Sequence, residues 1–179
     1  MRYTGIGGFI ALSLAAAAPA ALPVGASAPN FDTQVSLAGK AMPFSLKQAL
    51  SKGPVVLYFY PAAFTKGCTI EAHDFAEATD DFKKLGATVI GMSADPIDVL
   101  NKFSVSECRN KFAVGSATPA TIKAYDVVLP QKPERSNRTS YVISPNGKII
   151  FAYSAPDPAG HVSGTMNAVK GWRTKRRAG

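Results

Sequence analysis

The sequence predicts an α/β domain in which a mixed central sheet carries helices on both faces. The first observation is a continuous β-branched and aromatic run at residues 54–60, which is apolar on both faces. Such a run is typical of a central strand that is covered by helices on each side. The second observation is that helical and strand patterns alternate after this run, an order that favours layers of sheet and helix.

Length and composition limit the size and type of the domain. The chain has 179 residues, of which 46% are hydrophobic. A chain of this size can bury one core without support from disulfides or a metal. Its two cysteines are too few for a disulfide scaffold or a four-cysteine zinc site. Since no repeat or linker follows residue 20, we predict a single domain over residues 21–179.

Residues 1–20 have the pattern of a secretory signal peptide. Arg2 precedes an Ala/Leu-rich apolar run, and Ala18, Pro19 and Ala20 form a small-x-small cleavage site. The alternative is an uncleaved membrane anchor, but glycine, serine and proline interrupt the run. We therefore expect export to the periplasm or out of the cell, with no membrane attachment after cleavage. Disulfides can persist in such compartments.

The formal net charge is +8, and much of the excess positive charge lies near the C-terminus. Such a cluster could contact nucleic acid or an anionic membrane surface. No nucleic-acid motif accompanies it, so we predict a solvated, partly frayed basic tail and no nucleic-acid partner. The cluster consists of Lys170, Arg173, Lys175, Arg176 and Arg177.

Helix and strand patterns follow the central run in order. Apolar residues recur at near-helical spacing over residues 69–85, and Gly86 supplies a stop. Residues 87–93 have the pattern of the next strand. Asp95 then resembles an N-cap with Pro96 at the first helical position, which predicts a second helix.

The second half of the chain predicts two further helices and a hairpin. Thr118 and Pro119 repeat the pattern of an N-cap followed by proline. Residues 138–144 and 148–154 are strand-like runs on either side of a Pro-Asn-Gly turn, so they should pair antiparallel. A last helix is predicted over residues 160–172. The complete order of strands and helices is the thioredoxin-like pattern.

This pattern places Cys68 just after the central strand, in the first turn of the following helix. Free amides and the positive end of the helix dipole stabilise an anion there, which favours a thiolate over a thiol. Thr65 is a candidate N-cap whose hydroxyl could accept from the helix amides or turn towards the sulfur. Pro61 has no N–H and closes the end of the strand. The alternative is an inert cysteine that packs as a small apolar residue.

Pro61, Thr65 and Cys68 form the motif P-x-x-x-T-x-x-C within YFYPAAFTKGCT, and GMSAD, KAYDV and RTSYVISPNGKI follow. In these segments the chain resembles the peroxiredoxins, and most of all their branch of bacterioferritin comigratory proteins, also called PrxQ. The resemblance covers about residues 24–153. It implies a thiol peroxidase, without cofactor or metal, that reduces hydrogen peroxide or organic hydroperoxides.

The resemblance also implies a role for each matching residue. Cys68 would be the peroxidatic cysteine, and Thr65 would orient the peroxide. Pro61 would shield the pocket. Arg138, on a predicted strand, would place its guanidinium beside the thiolate.

The chain departs from that branch five residues after Cys68, where many members carry a resolving cysteine and this chain has His73. The resemblance then implies Cys108 as the resolver, because some PrxQ-like proteins carry theirs on the corresponding helix. A disulfide between Cys68 and Cys108 requires Cα atoms within about 7 Å, so the first turn around Cys68 should unwind. The alternative is a packed Cys108, with another chain or an external thiol as resolver.

The two histidines do not suggest a metal site. His73 lies about 140° around the helix from Cys68, so the two side chains do not share a face. We predict that His73 and His161 are solvated or locally hydrogen-bonded.

Two other functions remain open. The first is an exported thioredoxin-like thiol–disulfide oxidoreductase, which normally uses a C-x-x-C pair that this chain lacks. The second is a non-catalytic redox or metal-binding module, which would have no need for the proline, threonine, cysteine and arginine together. We therefore expect a cycle of thiolate, sulfenic acid and intramolecular disulfide. Its partners would be a peroxide and an external thioredoxin-like thiol reductant, with a monomer favoured.

Overall fold

The computed structural model describes residues 21–178, so the predicted signal peptide at residues 1–20 lies outside the described residues. The strands are β1 Asp32–Leu37, β2 Lys40–Ser45, β3 Val55–Phe59, β4 Thr88–Ser93, β5 Ala113–Ser116, β6 Val128–Leu129, β7 Lys132–Ser136, β8 Thr139–Ile143 and β9 Ile149–Ser154. The helices are α1 Leu46–Leu50, α2 Lys66–Lys84, α3 Ile97–Ser106, α4 Pro119–Ala124 and α5 His161–Ala178. None of these helices is long and apolar enough to cross a membrane.

Seven of the strands form one mixed sheet in the order β2-β1-β5-β4-β3-β8-β9, and β6 pairs separately with β7. The central strand β3 pairs parallel with β4 and antiparallel with β8. The predicted hairpin is confirmed, because β8 and β9 pair antiparallel with one irregularity in register. The predicted fold class, a mixed sheet with helices on both faces, is therefore confirmed.

Side chains of β3 alternate between two apolar cores. Val55, Leu57 and Phe59 pack into the core under α1 and α4. Val56 and Tyr58 pack into the core that also takes residues of α2, α3 and α5. All five residues are buried, which explains why the run is apolar on both faces.

Asp95 does not cap α3, which corrects the prediction from the Asp-Pro pair. The helix begins at Ile97, and Pro96 occupies the N-cap position. The Asp95 carboxylate instead accepts a hydrogen bond from the Ala63 N–H at 2.7 Å and one from Arg135 Nη1 at 2.5 Å. These contacts fix the loop between β3 and α2, and both partners are too distant in sequence for a local pattern to indicate them.

The C-terminal helix is longer than predicted. α5 runs to Ala178 rather than ending near residue 172, so the basic cluster is helical and the prediction of a frayed tail is wrong over this stretch. Arg173 Nη1 donates to the Lys84 carbonyl at 2.7 Å, which joins α5 to the end of α2. Arg176 stacks over the Trp172 ring at 5.1 Å from its centroid.

The predicted cap of α4 is confirmed, because the Thr118 hydroxyl accepts a hydrogen bond from the Thr121 N–H.

Candidate active site

Cys68 is the third residue of α2, because the helix begins at Lys66 rather than at the predicted residue 69. The first amides of a helix have no intrahelical acceptor, and they carry the positive end of the dipole. The side chain of Cys68 is buried, with 2% of its surface exposed, and its thiol is free. The sulfur therefore lies in a dry site where backbone dipoles favour negative charge.

Arg138 lies between β7 and β8 and brings a cation to this sulfur. Its Nη2 donates to Cys68 Sγ at 3.5 Å, and its Nε donates to the Pro156 carbonyl at 3.0 Å. A Cβ at position 67 would lie 2.9 Å from Arg138 Nη2, so Gly67 leaves the space that the guanidinium occupies. Arg138 therefore lies beside Cys68, as predicted.

The guanidinium is held in place by Glu71, one turn after Cys68 on α2. Arg138 Nη1 donates to Glu71 Oε2, and both side chains are buried. Burial lowers the pKa of Arg138, but its interactions with Glu71 and Cys68 raise it by more. The guanidinium therefore stays protonated and donates to Glu71 and Cys68 at the same time.

Thr65 occupies the N-cap position of α2, as predicted, but its side chain does not cap the helix. Its hydroxyl donates to the Ala62 carbonyl at 3.0 Å, so the expected bond from the helix amides is absent. The hydroxyl is exposed and can exchange this carbonyl for another acceptor. Pro61 and Arg138 line a neighbouring cleft of about 340 Å³. Its other lining residues are Leu129, Asn137, Ser154, Ala155 and Pro156.

Two residues of the site, Glu71 and His161, were missed in the sequence. Glu71 could have been found, because residues three apart on a helix lie on the same face as each other. His161 begins α5 and is fully buried, so it is not solvated; the predicted local hydrogen bond is present, from Nε2 to the Ala155 carbonyl. Its Nδ1 lies 2.8 Å from Ser140 Oγ and 3.7 Å from Glu71 Oε1. Nothing in the spacing along the chain indicates these contacts.

Cys108 follows the end of α3 and lies in the same apolar core as Cys68. It is fully buried and its thiol is free. Burial raises the pKa of the Cys108 thiol, so this cysteine is protonated while it remains in the core. The rings of Tyr58 and Tyr60 belong to the same core.

Three side-chain contacts, two ion pairs and one histidine–carboxylate hydrogen bond, join α2 to residues 107–111, the segment that carries Cys108. They follow one stripe of α2, with partners spaced by about one helical turn. His73 belongs to this stripe and is hydrogen-bonded, but its partner Glu107 is 34 residues away rather than local. The pairs are His73–Glu107 at 2.9 Å, Glu77–Arg109 at 3.2 Å and Asp80–Lys111 at 2.8 Å.

Fold and site define a class: a thioredoxin-like domain with a buried, cation-bound cysteine at the start of the helix after its central strand. Comparison with known proteins agrees with this class. The model of the AhpC/TSA family matches residues 24–152. The chain therefore belongs to the AhpC/TSA family, and it is a peroxiredoxin, a thiol-dependent peroxidase.

Individual relatives support the predicted branch. The chain is 28% identical to Peroxiredoxin Bcp of Xanthomonas campestris over 148 residues, which cover 80% of this chain and 91% of that protein. It is 32% identical to Peroxiredoxin Q of Oryza sativa subsp. japonica over 156 residues, covering 82% of this chain and 66% of that protein.

Among solved structures, Peroxidoxin BcpB from Mycobacterium tuberculosis superposes with a TM-score of 0.74 at 29% identity. The match covers 83% of this chain and 96% of that chain. The resemblance to the Bcp and PrxQ branch and the thioredoxin-like fold are confirmed, and the two alternative functions are not favoured.

Replacing Arg138 with lysine tests the contact with the sulfur. One ammonium cannot hold Glu71, the Pro156 carbonyl and Cys68 together as the guanidinium does. Loss of a charge-assisted hydrogen bond worth about 1.5–3 kcal/mol should slow the reaction with peroxide roughly 10- to 100-fold. Stopped-flow kinetics with hydrogen peroxide measures this rate. The control is Arg109→Lys on the exposed ion pair, which should stay within about twofold of the parent protein. Equal rates for Arg138→Lys and the parent protein would contradict the role of this contact.

Proposed function

We propose that peroxide reduction by this chain runs through Cys68. The Cys68 thiolate attacks one peroxide oxygen, the O–O bond breaks, and the second oxygen leaves as water or an alcohol after taking up a proton. The cysteine becomes a sulfenic acid. The observation that carries this proposal is the 3.5 Å contact of Arg138 Nη2 with Sγ at the start of α2.

The leaving oxygen develops negative charge, so the reaction needs donors at that position. Arg138 and the first amides of α2 can supply them. Thr65 can turn its hydroxyl from the Ala62 carbonyl to the peroxide, which would orient the substrate. Pro61 lines the adjoining cleft, lacks an N–H and keeps water from the sulfur.

The cleft beside the site supports hydrogen peroxide and small organic hydroperoxides as the substrates. Pro61, Leu129, Ala155 and Pro156 give it a largely apolar wall. An alkyl group of a hydroperoxide can lie against such a wall while its peroxide group faces Arg138. A small polar peroxide needs no such contact and can enter as well.

Cys108 is the resolving cysteine in this proposal. Its thiol condenses with the sulfenic acid of Cys68, which forms a disulfide and releases water. Both cysteines are buried within the fold, so in this proposal α2 unwinds at its first turn and Cys108 leaves the core to reach the sulfur of Cys68. Arg109 and Asn110 have φ values of 50° and 59°, a strained conformation that this movement would relax.

An external thioredoxin-like dithiol then reduces the Cys68–Cys108 disulfide and is itself oxidised to a disulfide. One chain supplies both cysteines, so the cycle can run in a monomer. The three side-chain contacts between α2 and residues 107–111 hold the reduced fold until Cys68 has reacted. Exposed ion pairs such as Glu77–Arg109 and Asp80–Lys111 are weak, because water and salt screen them, so the segment can open.

We also propose that the protein is exported and works in the periplasm or outside the cell. The support is the basic residue, apolar run and small-x-small site of residues 1–20. An oxidising compartment suits an enzyme whose cycle passes through a disulfide.

Replacing Cys68 with serine tests the proposed nucleophile. A serine hydroxyl is not ionised at neutral pH, so we expect no stopped-flow consumption of hydrogen peroxide above the uncatalysed rate. The matched control is Cys108→Ser, which keeps the nucleophile and should react in its first turnover at the parent rate. A Cys68→Ser protein that consumes peroxide as fast as the parent protein would refute the proposal.

Replacing Cys108 with serine also tests resolution. We expect that variant to stop after one turnover with a thioredoxin-like reductant and to accumulate sulfenic and sulfinic acid on Cys68. Peptide mapping of the oxidised parent protein should find Cys68 and Cys108 linked within one chain of monomer mass. Disulfide-linked dimers, or unchanged turnover by Cys108→Ser, would remove Cys108 from this role.

Cleavage of the signal peptide can be tested on protein expressed from the full-length gene in a Gram-negative host. We expect the recovered protein in the periplasmic fraction or the medium, with its N-terminus near Ala21. Intact protein mass and N-terminal sequencing measure this. A full-length chain in the cytosolic fraction would contradict export.

A further inference from the structure

A buried polar cluster adjoins Arg138 through Glu71. Glu71 and His161 are both fully buried, and Ser140 lies beside them. His161 Nε2 lies 3.2 Å from the Ala155 carbonyl, and its Nδ1 lies 2.8 Å from Ser140 Oγ. Burying several polar groups is costly unless they satisfy one another, so the arrangement of their protons can be derived from their partners.

The imidazole of His161 is neutral and carries its proton on Nε2. A carbonyl oxygen accepts but never donates, so the contact with Ala155 requires the hydrogen on Nε2. Burial lowers the pKa of His161 to about 4, and the nearby charge of Arg138 adds to this effect. At neutral pH the Nδ1 of His161 is therefore an acceptor, which Ser140 Oγ and Glu71 Oε1 both face.

Glu71 has one oxygen satisfied and one without a donor. Its Oε2 accepts from Arg138 Nη1, whereas Oε1 has no hydrogen-bond partner among the described residues and faces His161 Nδ1 at 3.7 Å. Burial raises the pKa of Glu71 to about 8, against the opposing charge of Arg138. A proton on Oε1 would point at Nδ1, whose single lone pair also accepts from Ser140 Oγ.

The charge on Glu71 decides how much of the charge of Arg138 is left for the sulfur. If Glu71 is ionised, its carboxylate neutralises the guanidinium, and a thiolate on Cys68 would be a second, unbalanced buried anion. If Glu71 is protonated, the thiolate and the guanidinium balance each other. A neutral Glu71 therefore favours the thiolate.

Other titratable groups face this cluster from each neighbouring element. Asp74 on α2 raises the pKa of Glu71, so it favours the protonated acid. Asp157, between β9 and α5, raises the pKa of His161 but by less than burial lowers it. Tyr58 on β3 is neutral, because burial raises its pKa well above the ordinary value. None of these three reverses the arrangement of protons.

We propose that His161 is a positioning residue for Cys68: its unprotonated Nδ1 faces Glu71 Oε1 and favours a proton on that oxygen, which leaves the charge of Arg138 to the thiolate. This inference rests on the proposed role of Cys68 as the nucleophile. It assigns His161 no contact with the peroxide. Its action passes through two side chains, Glu71 and Arg138, before it reaches the sulfur.

Replacing His161 with phenylalanine tests the proposal. The phenyl ring can keep the ring contact with Tyr153, whose centroid lies 4.7 Å from that of His161, but it cannot accept the Glu71 proton. Glu71 then ionises more readily under the influence of Arg138. Titration of thiolate absorbance at 240 nm should give a midpoint about one pH unit higher. The rate with peroxide should fall about tenfold below that midpoint and recover to the parent value above it.

A double-substitution experiment separates this role from packing. In Glu71→Gln the side chain is neutral at every pH, so adding His161→Phe should no longer move the midpoint of thiolate formation. The control is Thr165→Val, one turn along α5, whose buried hydroxyl binds helix carbonyls alone and should leave midpoint and rate unchanged. An unchanged or lowered midpoint in His161→Phe, or an equal shift in the Glu71→Gln background, would overturn the proposal.

A second variant keeps the test valid if His161→Phe does not fold. Ser140→Ala removes the hydroxyl that competes with Glu71 for Nδ1, so thiolate formation should move to lower pH. A rise or no change would count against the proposal.

In the parent protein, the nitrogen shifts of His161 in NMR should report a neutral ring protonated on Nε2 at pH 7. A charged ring, or the other tautomer, would also overturn it. Failure here leaves Cys68 as nucleophile, whereas peroxide consumption by Cys68→Ser removes the role on which the inference rests.

Discussion

The contact between the Arg138 guanidinium and the Cys68 sulfur is the interaction on which the site depends. The antiparallel pairing of β8 with β3 places Arg138 next to the loop that leads into α2. Gly67 leaves room for the guanidinium, and the Pro156 carbonyl fixes its direction. Sheet pairing, helix start and loop geometry must therefore all be correct before this sulfur has its cation.

The buried positive charge of Arg138 requires a negative partner. The surrounding residues provide one without taking the guanidinium away from the sulfur of Cys68. Glu71 binds Arg138 and would neutralise it if fully ionised. Burial raises the pKa of Glu71 to about 8, so the acid keeps its proton over much of the physiological range. Glu71 can then orient the guanidinium while Arg138 stabilises the thiolate, because Glu71 and Cys68 together carry one negative charge rather than two.

The two cysteines differ in environment as sharply as in their proposed roles. Cys68 has helix amides and a guanidinium beside it, whereas Cys108 is surrounded by an apolar core that raises its pKa. A thiol that stays protonated in the core does not react prematurely. Only weak, exposed ion pairs hold Arg109 and Lys111 against α2, so this region can open locally, as the proposed disulfide cycle would require.

Local sequence was sufficient for features that depend on neighbouring residues. The strand β3, the helix after it, the cap of α4 and the β8–β9 hairpin are each encoded by short apolar patterns or turn residues. The hairpin of β1 and β2, the short helix α1 and the pair β6–β7 were not predicted. The strands β1 and β2, and also β6 and β7, are defined by their pairing partners rather than by strong patterns, and α1 is only five residues long. The start of α2 was predicted three residues late, because helix ends depend on backbone geometry more than on apolar spacing.

The amino-acid sequence by itself determined the family motif and the position of Cys68 at a helix start. It predicted Arg138 on a strand, whereas Arg138 directly precedes β8. Tertiary structure decided which groups meet. Asp95 fixes the loop of Pro61 rather than a helix, Thr65 donates to a carbonyl rather than accepting from amides, and His161 enters the core to face Glu71. The physical reason is that a hydrogen bond between distant residues leaves no periodic signal in the chain, whereas burial and charge balance in the folded core select its partners.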